Sequence, residues 1–195
     1  MSSKAASFVE AIASRRTIYS LKPVLPEKVE LKEVQQIVQD IIKHTPTCFN
    51  SQGNRALALS GESHKRVWDH VYQTLPLEKF KAKPLAARDD AVGTVVFLVK
   101  DSKTKELQER FPIRADIFPE LIAHSSGSAQ LSTWTALELL GFGANLQHFN
   151  DLILQALPKD VIEDDWSVQG QLVFGLPAAA AGEKAFDENE VPLLV

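Results

Sequence analysis

The sequence predicts a single mixed domain of the α/β or α+β class. Apolar residues recur at helical spacing in several segments, whereas residues 94–99 and 168–176 form apolar, β-branched runs typical of buried strands. Helical segments separate the predicted strands, and helices outnumber strands. A chain of 195 residues with 45% hydrophobic and 24% charged residues suits one compact domain, which we assign to residues 1–195.

The predicted elements follow one another without a linker or an internal repeat. Helices are predicted at about residues 5–14, 31–44, 62–73, 103–111, 119–140 and 152–157, and strands at residues 55–60, 94–99 and 168–176. The small residues at 125–129 leave a second interpretation open, in which they form a loop between two helices. Gly141 and Gly143 are expected to stop the long helix. The tail at 177–195 ends in apolar residues that need a surface on which to lie.

Composition and charge exclude several classes of protein. The net charge is −4, and no run of lysines and arginines is long enough for a nucleic-acid footprint. No apolar stretch approaches the length of a membrane span, and the N-terminus lacks the apolar region of a signal peptide. The single cysteine, Cys48, fits a reducing compartment. We therefore expect a cytoplasmic protein, also nuclear if its source is eukaryotic, with no nucleic-acid or membrane partner.

Familiar catalytic and metal motifs are absent from the sequence. There is no P-loop, no H-E-x-x-H and no G-x-S-x-G. The five histidines lack metal-ligand spacing, so no metal site is predicted. His64 and His70 are interpreted as residues of a solvated helix face, and Cys48 as a small apolar filler.

Three polar clusters contain the residue types that are suited to binding a ligand. Arg15, Arg16 and Thr17 offer charge-assisted donors that match phosphate geometry, with a solvated basic turn at a helix end as the alternative. Residues 45–52 form a loop whose amides and hydroxyls can recognise the edge of a heterocycle, with an ordinary helix-to-strand loop as the alternative. The glycines within residues 139–147 let backbone N–H groups approach a planar ligand, with a helix C-cap as the alternative.

In this order, the motifs resemble the nitroreductase family of FMN enzymes, and within it a short fungal and bacterial subgroup. The resemblance covers nearly the whole chain, and its specificity comes from the combination of short motifs. The matching segments are Arg-Arg-Thr-Ile-Tyr at 15–19, Leu-Lys-Pro at 21–23, Asn-Ser-Gln at 50–52, His-Lys-Arg at 64–66 with Trp68, Thr-Trp-Thr at 133–135, Ala-Leu-Glu-Leu-Leu-Gly at 136–141, Gly-Ala-Asn-Leu-Gln-His at 143–148 and Gln-Leu-Val-Phe-Gly at 171–175.

The resemblance implies a fold, an assembly and a cofactor. The fold would be an α+β sandwich, with a mostly antiparallel central sheet flanked by helices, in an interlocked homodimer. The tail at 177–195 would pack on the partner subunit. FMN would be tightly bound at the dimer interface, NADH or NADPH would donate electrons, and nitroaromatics or quinones would accept them.

The resemblance also implies which residues bind the cofactor. Those matching the phosphate and ribityl contacts are Arg15, Arg16, Thr17 and Lys184. Those matching a loop that reaches the flavin from the partner chain are Pro46, Thr47, Asn50, Ser51 and Gln52. Those matching a loop whose backbone lies beside flavin N5 and O4 are Gly143, Ala144 and Asn145.

Two positions depart from the family pattern. Phe186 occupies the place of a second C-terminal cation, so phosphate binding would either be weaker or rest more on Arg15 and Arg16. Tyr19 stands where many members carry a basic residue near the flavin pyrimidine, and Arg88 is the expected substitute. A surface charge beside Asp89 and Asp90 is the alternative for Arg88.

The implied chemistry is a ping-pong hydride transfer in which the flavin reacts and no side chain acts as a catalytic acid or base. A connection with oxidative-stress or lipid signalling is expected from relatives in the subgroup. Two other classes stay open at this point. One is a flavin-binding redox sensor with little turnover, and the other is an interaction protein without a cofactor.

Overall fold

A computed structural model describes residues 3–195, which form seven α-helices and five β-strands. The helices are α1 Lys4–Ser14, α2 Leu31–His44, α3 Gly61–Thr74, α4 Ala82–Asp90, α5 Asp101–Arg110, α6 Phe118–Leu139 and α7 Asn150–Ala156. The strands are β1 Leu21–Lys22, β2 Asn54–Ser60, β3 Gly93–Lys100, β4 Gly143–Gln147 and β5 Trp166–Pro177. Short 3₁₀ turns lie at Cys48–Asn50, Glu78–Phe80 and Pro112–Ile117.

The five strands form one antiparallel sheet around β5. β3 pairs with β2 and with β5, while β4 and the short β1 also pair with β5. A bulge at Phe97/Leu98 shifts the register between β3 and β5. The α+β class with an antiparallel central sheet is therefore confirmed.

The sheet separates two hydrophobic cores, because adjacent side chains on a strand point to opposite faces. On β3, Val95 and Phe97 pack with residues of α2 and α6. Val96 and Leu98 pack on the other face, with residues of α3, α4 and α7. The sheet is thus covered by helices on both faces, as the sandwich prediction requires.

The long helix α6 is uninterrupted over 22 residues, so the alternative of a loop at residues 125–129 is wrong. Ser125 and Ser126 are buried within it, whereas a Cβ atom placed on Gly127 would meet nothing within 4 Å. Beyond α6, Gly141 adopts φ 89°, a value that glycine reaches without strain. Gly143 does not act as a helix stop, because it begins β4.

Helix α4 was not predicted from the sequence, and it changes the surroundings of His64. Pro84 lies in its first turn, where proline is compatible with a helix although it reads as a loop signal in the sequence. α4 packs over α3 and leaves His64 only 2% exposed. The prediction of a solvated His64 is therefore wrong.

The first helix and the tail leave apolar side chains uncovered in the protomer. α1 has the predicted position but no buried residue, and Phe8 and Val9 are 66% and 63% exposed. The tail beyond β5 has no regular secondary structure, and its last apolar residues are exposed. Within residues 3–195, none of the helices has the length and apolar character needed to cross a bilayer.

Candidate functional site

The arginine motif runs beside β4, so two of the three polar clusters meet. The Ile18 N–H donates to the Ala144 carbonyl at 2.9 Å, and Thr17 and Ala144 form an isolated parallel bridge. The Asn145 side-chain amide donates back to the Ile18 carbonyl at 3.0 Å. Gly143 is needed here, because a Cβ atom at that position would lie 3.0 Å from side-chain carbons of Ile18. Residues 143–145 therefore form a strand rather than the expected loop.

Arg15 carries hydrogen-bond donors that the protomer leaves unused. Its guanidinium carbon lies 4.4 Å from the ring centroid of Trp134, a cation–π contact that fixes the orientation of the side chain. Arg15 Nη1 and Trp134 Nε1 are both buried without a hydrogen-bond partner among the described residues. Buried donors are almost always paired with protein, water or a ligand, so two neighbouring unpaired donors indicate an acceptor outside the described residues.

Glu138, in the last turn of α6, holds the backbone of the arginine motif. Its carboxylate oxygens accept the Arg16 N–H at 3.0 and 3.2 Å. Burial raises the pKa of Glu138, while the Arg16 N–H and the charges of Arg15 and Arg16 act in the opposite direction. Glu138 thus positions the motif and partly offsets its positive charge.

The C-terminal tail reaches the same place. Arg16 Nη2 donates to the carbonyl of Gly182, which brings the beginning of the tail to the arginine motif. Lys184 follows two residues later, and its ammonium nitrogen lies 4.9 Å from the ring centroid of Phe186. Lys184 thus lies two residues along the chain from the carbonyl that Arg16 contacts, and its role at the phosphate stays a prediction.

A cavity of about 340 Å³ opens between α4 and strands β4 and β5. On β4, Ala144 faces the α2–α6 core, so the neighbouring Asn145 and Gln147 face the cavity. The Gln147 amide donates to Asn145 Oδ1 at 2.7 Å. The remaining lining residues are Tyr19, Leu21, Ala82, Lys83, Ala86, Ala87 and Val173. The cavity combines an apolar wall with amide groups and one cation, which suits a planar heterocycle.

Lys83, and not Arg88, is the cation that lines this cavity. Its ammonium nitrogen lies 5.3 Å from the ring centroid of Tyr19. Arg88 instead pairs with Asp69 at 2.7 Å and with Asp89 at 2.8 Å. These hydrogen bonds raise the pKa of the Arg88 guanidinium above its usual range. The structure thus places Arg88 in the surface ion-pair environment that was the alternative interpretation.

The second polar cluster, residues 45–52, is held by the first half of α6. Ser125 Oγ donates to the Pro46 carbonyl at 2.8 Å, and the Gln52 N–H donates to Thr47 Oγ1 at 3.0 Å. Ser51 Oγ is buried without a partner among residues 3–195. Another cavity, of about 590 Å³, is lined in part by Asn50, Ser51 and Gln52.

The backbone of this loop is strained. Phe49, Asn50 and Gln52 have φ values of 52°, 52° and 51°, a left-handed conformation that costs other residues more than glycine. Phe49 is 61% exposed, yet its ring stacks on Phe111 with centroids 4.6 Å apart. Such strain is concentrated at binding sites, where the surrounding packing maintains it.

Within one protomer the loop and the arginine motif are far apart. The loop contacts α6 at Ser125, whereas the motif contacts it at Trp134 and Glu138. The thirteen residues from Ser125 to Glu138 correspond to about 20 Å of helix. The structure therefore brings together the first and third clusters and the tail, but not the second cluster.

Several residues of the site had no role in the sequence interpretation, namely Trp134, Glu138, Gln147 and Lys83. Trp134, Glu138 and Gln147 fall within recognised motifs, but only their contacts reveal what they do. Lys83 lies on the helix that the sequence did not predict. Within residues 3–195, no group of three His, Cys, Asp or Glu side chains could hold a metal ion.

Comparison with known proteins identifies the family. The family model of the nitroreductases matches residues 12–178. The chain belongs to the nitroreductase family. Nitroreductase FRM2 of Saccharomyces cerevisiae is 49% identical over 185 residues, which cover 95% of each protein. The resemblance stated from the sequence is therefore confirmed, and it supports an oxidoreductase role for this member.

Solved structures agree in fold. The crystal structure of a nitroreductase from Saccharomyces cerevisiae has a TM-score of 0.84 at 50% identity and covers 87% of this chain and 94% of that one. Nitroreductase CinD from Lactococcus lactis, in complex with chloramphenicol, has a TM-score of 0.83 at 38% identity, with 93% and 95% covered. A protein from Desulfovibrio desulfuricans, solved in complex with FMN, shares only the fold, at 15% identity and a TM-score of 0.64.

Proposed function

We propose that this nitroreductase-family member is an FMN-dependent NAD(P)H oxidoreductase that reduces nitroaromatics or quinones. The observation that carries the proposal is the pair of orphaned buried donors, Arg15 Nη1 and Trp134 Nε1, at the end of α6. They require an acceptor, and a phosphate group meets the geometry of a guanidinium fork. The FMN complex of a protein with the same fold supports FMN as the cofactor. The complex of CinD with chloramphenicol, a nitroaromatic compound, supports the class of acceptor.

The residues on hand fit the nucleotide end of FMN. Arg15 and Trp134 supply the orphaned donors, and Thr17 adds a hydroxyl. Arg16 and Lys184 add positive charge at the point where the tail returns to the motif. Glu138 limits the excess charge and keeps the backbone of the motif in place.

The cavity beside α4 fits the ring end. Asn145 and Gln147 provide amide donors and acceptors, while Ala86 and Ala87 leave room for a flat ring. Lys83 and Tyr19 stand at one side, where a cation and a hydroxyl can stabilise negative charge. Gly143 and Ala144 are buried and hold the arginine motif beside β4 rather than facing the cavity.

Bound FMN would supply the hydride chemistry, in a ping-pong cycle between NADH or NADPH and an aromatic acceptor. The chain itself would bind and orient the reactants and exclude water. Lys83 and Tyr19 are the titratable residues among the described cavity-lining side chains, and we assign neither a proton transfer. One cavity would serve donor and acceptor in turn, so acceptor specificity would be broad.

The proposed assembly is a homodimer whose sites are shared. The loop of residues 45–52 has a strained backbone and a Ser51 hydroxyl without a partner among residues 3–195, but it contacts α6 at Ser125, about 14 Å along the helix from Trp134 and about 20 Å from Glu138. A second copy would bring this loop to the cavity of the first. It would also cover the exposed apolar side chains of α1, Phe8 and Val9.

The test begins with the purified protein. We expect a yellow preparation whose released ligand is FMN, whose absorbance is bleached by NADH or NADPH without oxygen, and which turns over with a quinone or 4-nitroquinoline N-oxide. A bound flavin that neither nucleotide reduces would favour a redox sensor. A colourless protein that takes up no added FMN would contradict the proposal.

A further inference from the structure

A short lysine-rich segment borders the cavity, and only its last lysine, Lys83, has a role in the proposed cofactor site. Lys79, Lys81 and Lys83 alternate along the chain from the Glu78–Phe80 turn into α4. We call these three lysines, together with Phe80, the lysine patch. Residues 79–83 contain no acidic residue, although the whole chain has a net charge of −4. The patch is therefore a local positive surface on an acidic protein.

Each lysine of the patch contacts an aromatic ring, and among residues 3–195 only Lys81 also pairs with a carboxylate. The ammonium nitrogens of Lys79, Lys81 and Lys83 lie 4.9, 5.1 and 5.3 Å from the ring centroids of Phe80, Tyr72 and Tyr19. Cation–π contacts restrict a lysine side chain but leave its charge available.

One ion pair involves the patch among residues 3–195. Lys81 pairs with Glu78 at 3.4 Å, and Glu78 is 82% exposed. Exposed ion pairs of this kind contribute little to stability, so a competing anion can readily replace Glu78 at Lys81. Two further acidic groups near α4, Asp69 and Asp89, already bind Arg88, and Asp90 lies at the far end of the helix from Lys83.

The position of the patch connects it to the cavity. Lys83 lines the cavity itself, whereas Lys79 lies outside its lining and is exposed. Phe80, between Lys79 and Lys81, is 51% exposed although it is a large apolar residue. Positive charges beside an exposed aromatic ring, at the edge of a planar-ligand cavity, match a ligand that joins phosphates to a second aromatic base.

We propose that the lysine patch binds the adenosine diphosphate half of the nicotinamide donor. The pyrophosphate would lie against Lys79 and Lys81, and the adenine would stack on Phe80, while the nicotinamide enters the cavity past Lys83. This inference rests on the proposed function, because it assumes a dinucleotide donor. It applies equally to NADH and NADPH, since both contain the pyrophosphate.

The test compares two donors that differ in this half. NADH carries the adenosine diphosphate, whereas 1-benzyl-1,4-dihydronicotinamide has neither phosphate nor adenine. In the FMN-loaded double variant Lys79→Gln/Lys81→Gln, we expect the Kd for NADH in flavin reduction to rise roughly 2- to 30-fold, the size of two solvent-exposed charge pairs. Reduction by the benzyl compound should be unchanged.

Lys32→Gln is the matched control, because Lys32 is exposed on α2, on the other face of the sheet. It should change neither the Kd for NADH nor the reduction of the flavin by the benzyl compound. In wild-type protein, added salt should weaken NADH binding more than binding of the neutral donor. Phe80→Ala should weaken NADH binding alone.

A binding measurement gives a second readout that does not depend on turnover. Calorimetric titration of the FMN-loaded protein with ADP-ribose should show binding that the lysine double variant weakens by the same factor of roughly 2 to 30. If NADH reduces the flavin with the same Kd in wild type and double variant, and ADP-ribose binding is unchanged, the patch assignment is wrong while the proposed function stands. If neither donor reduces the flavin, the proposed function fails instead.

Discussion

Arg15 and Arg16 are adjacent in the sequence, but the fold gives them different surroundings. Arg15 stacks on Trp134 and keeps a buried donor without a partner. The Arg16 guanidinium donates one hydrogen bond to the Gly182 carbonyl, and the Arg16 backbone N–H donates to the Glu138 carboxylate. The sequence motif predicts that both contact phosphate. In the structure, Arg15 has a donor available for a ligand, whereas Arg16 also contacts the tail.

Alanine substitution should distinguish the two roles. We expect Arg15→Ala and Arg16→Ala each to weaken FMN binding by about 1.5–3 kcal/mol, typical of a hydrogen bond to a charged group. This corresponds to roughly 10- to 150-fold in the Kd measured by fluorescence titration. Arg16→Ala should also make the tail beyond Gly182 more sensitive to proteolysis, whereas Arg15→Ala should not.

Arg66→Ala is the control for these variants, because Arg66 is an exposed residue of α3. It should leave both FMN binding and proteolysis unchanged. Wild-type retention of FMN in both arginine variants would remove the phosphate assignment.

Helix α4 shows most clearly what a single sequence reveals about elements. Strands β2, β3 and β5 and the other helices could be predicted, most of them because their apolar residues repeat at a regular spacing, whereas the two-residue β1 is too short for a pattern. α4 has only nine residues, begins with Ala-Lys-Pro and buries just Pro84 and Ala87, so its pattern is too short to detect. The consequences were the misplacement of His64 and the choice of Arg88 over Lys83. Strand β4 was misread as a loop for a related reason, since Gly143 looks like a helix stop.

His64 connects α3, α4 and β3 through a network that fixes its protonation. The Ala87 carbonyl only accepts, so His64 Nε2 carries the proton and donates to it at 2.8 Å. His64 Nδ1 then accepts from Thr94 Oγ1 at 3.0 Å, and Trp68 Nε1 donates to the same hydroxyl at 2.8 Å. A protonated His64 would turn Nδ1 into a donor, so the Thr94 hydroxyl would accept from both Nδ1 and Trp68 Nε1 and its own proton would need another acceptor. The network therefore favours neutral His64 and fixes the α4 wall of the cavity.

This network predicts a pH dependence of stability. Burial lowers the pKa of His64 below its ordinary value of 6.5, with the charge of Lys65 acting in the same direction. The unfolded chain therefore binds a proton before the native state does. Stability should be constant above pH 6.5 with respect to this group, and should fall as the pH drops from 6.5 toward the native pKa.

The free energy of unfolding should fall by at most about 1.4 kcal/mol per pH unit for a single group. Urea unfolding of wild type and His64→Gln between pH 5 and 8 tests it, and the variant should lack this component of the slope. His44→Gln removes an exposed imidazole and should retain it. Equal slopes in wild type and His64→Gln would contradict the assignment.

At the scale of the whole molecule, the protomer contains parts of a site that do not meet. The arginine motif, β4 and the beginning of the tail converge at one end of α6, while residues 45–52 lie near Ser125. The sequence could predict each part, because each has characteristic residues. The sequence could not predict that the loop and the arginine motif contact α6 about 20 Å apart, because this distance depends on α6 being continuous from Ser125 to Glu138. The unburied face of α1 and the exposed tail are the further features that a second subunit would complete.

A mixed dimer tests whether each site draws on two chains. One chain carries Arg15→Ala, and the other carries Asn50→Ala with Ser51→Ala. If the loop of one subunit serves the cavity of the other, a dimer containing one chain of each kind has one site with all the changes and one site with none. FMN titration of the purified mixed dimer should then be biphasic, with half of the sites binding as in wild type. Dimers of either variant alone should bind FMN weakly at both sites.

If each site belonged to a single chain, every site in the mixed dimer would carry a defect, and no wild-type phase would be seen. A sedimentation measurement on the same samples establishes that they are dimers, so that a single weak phase would count against shared sites rather than against assembly.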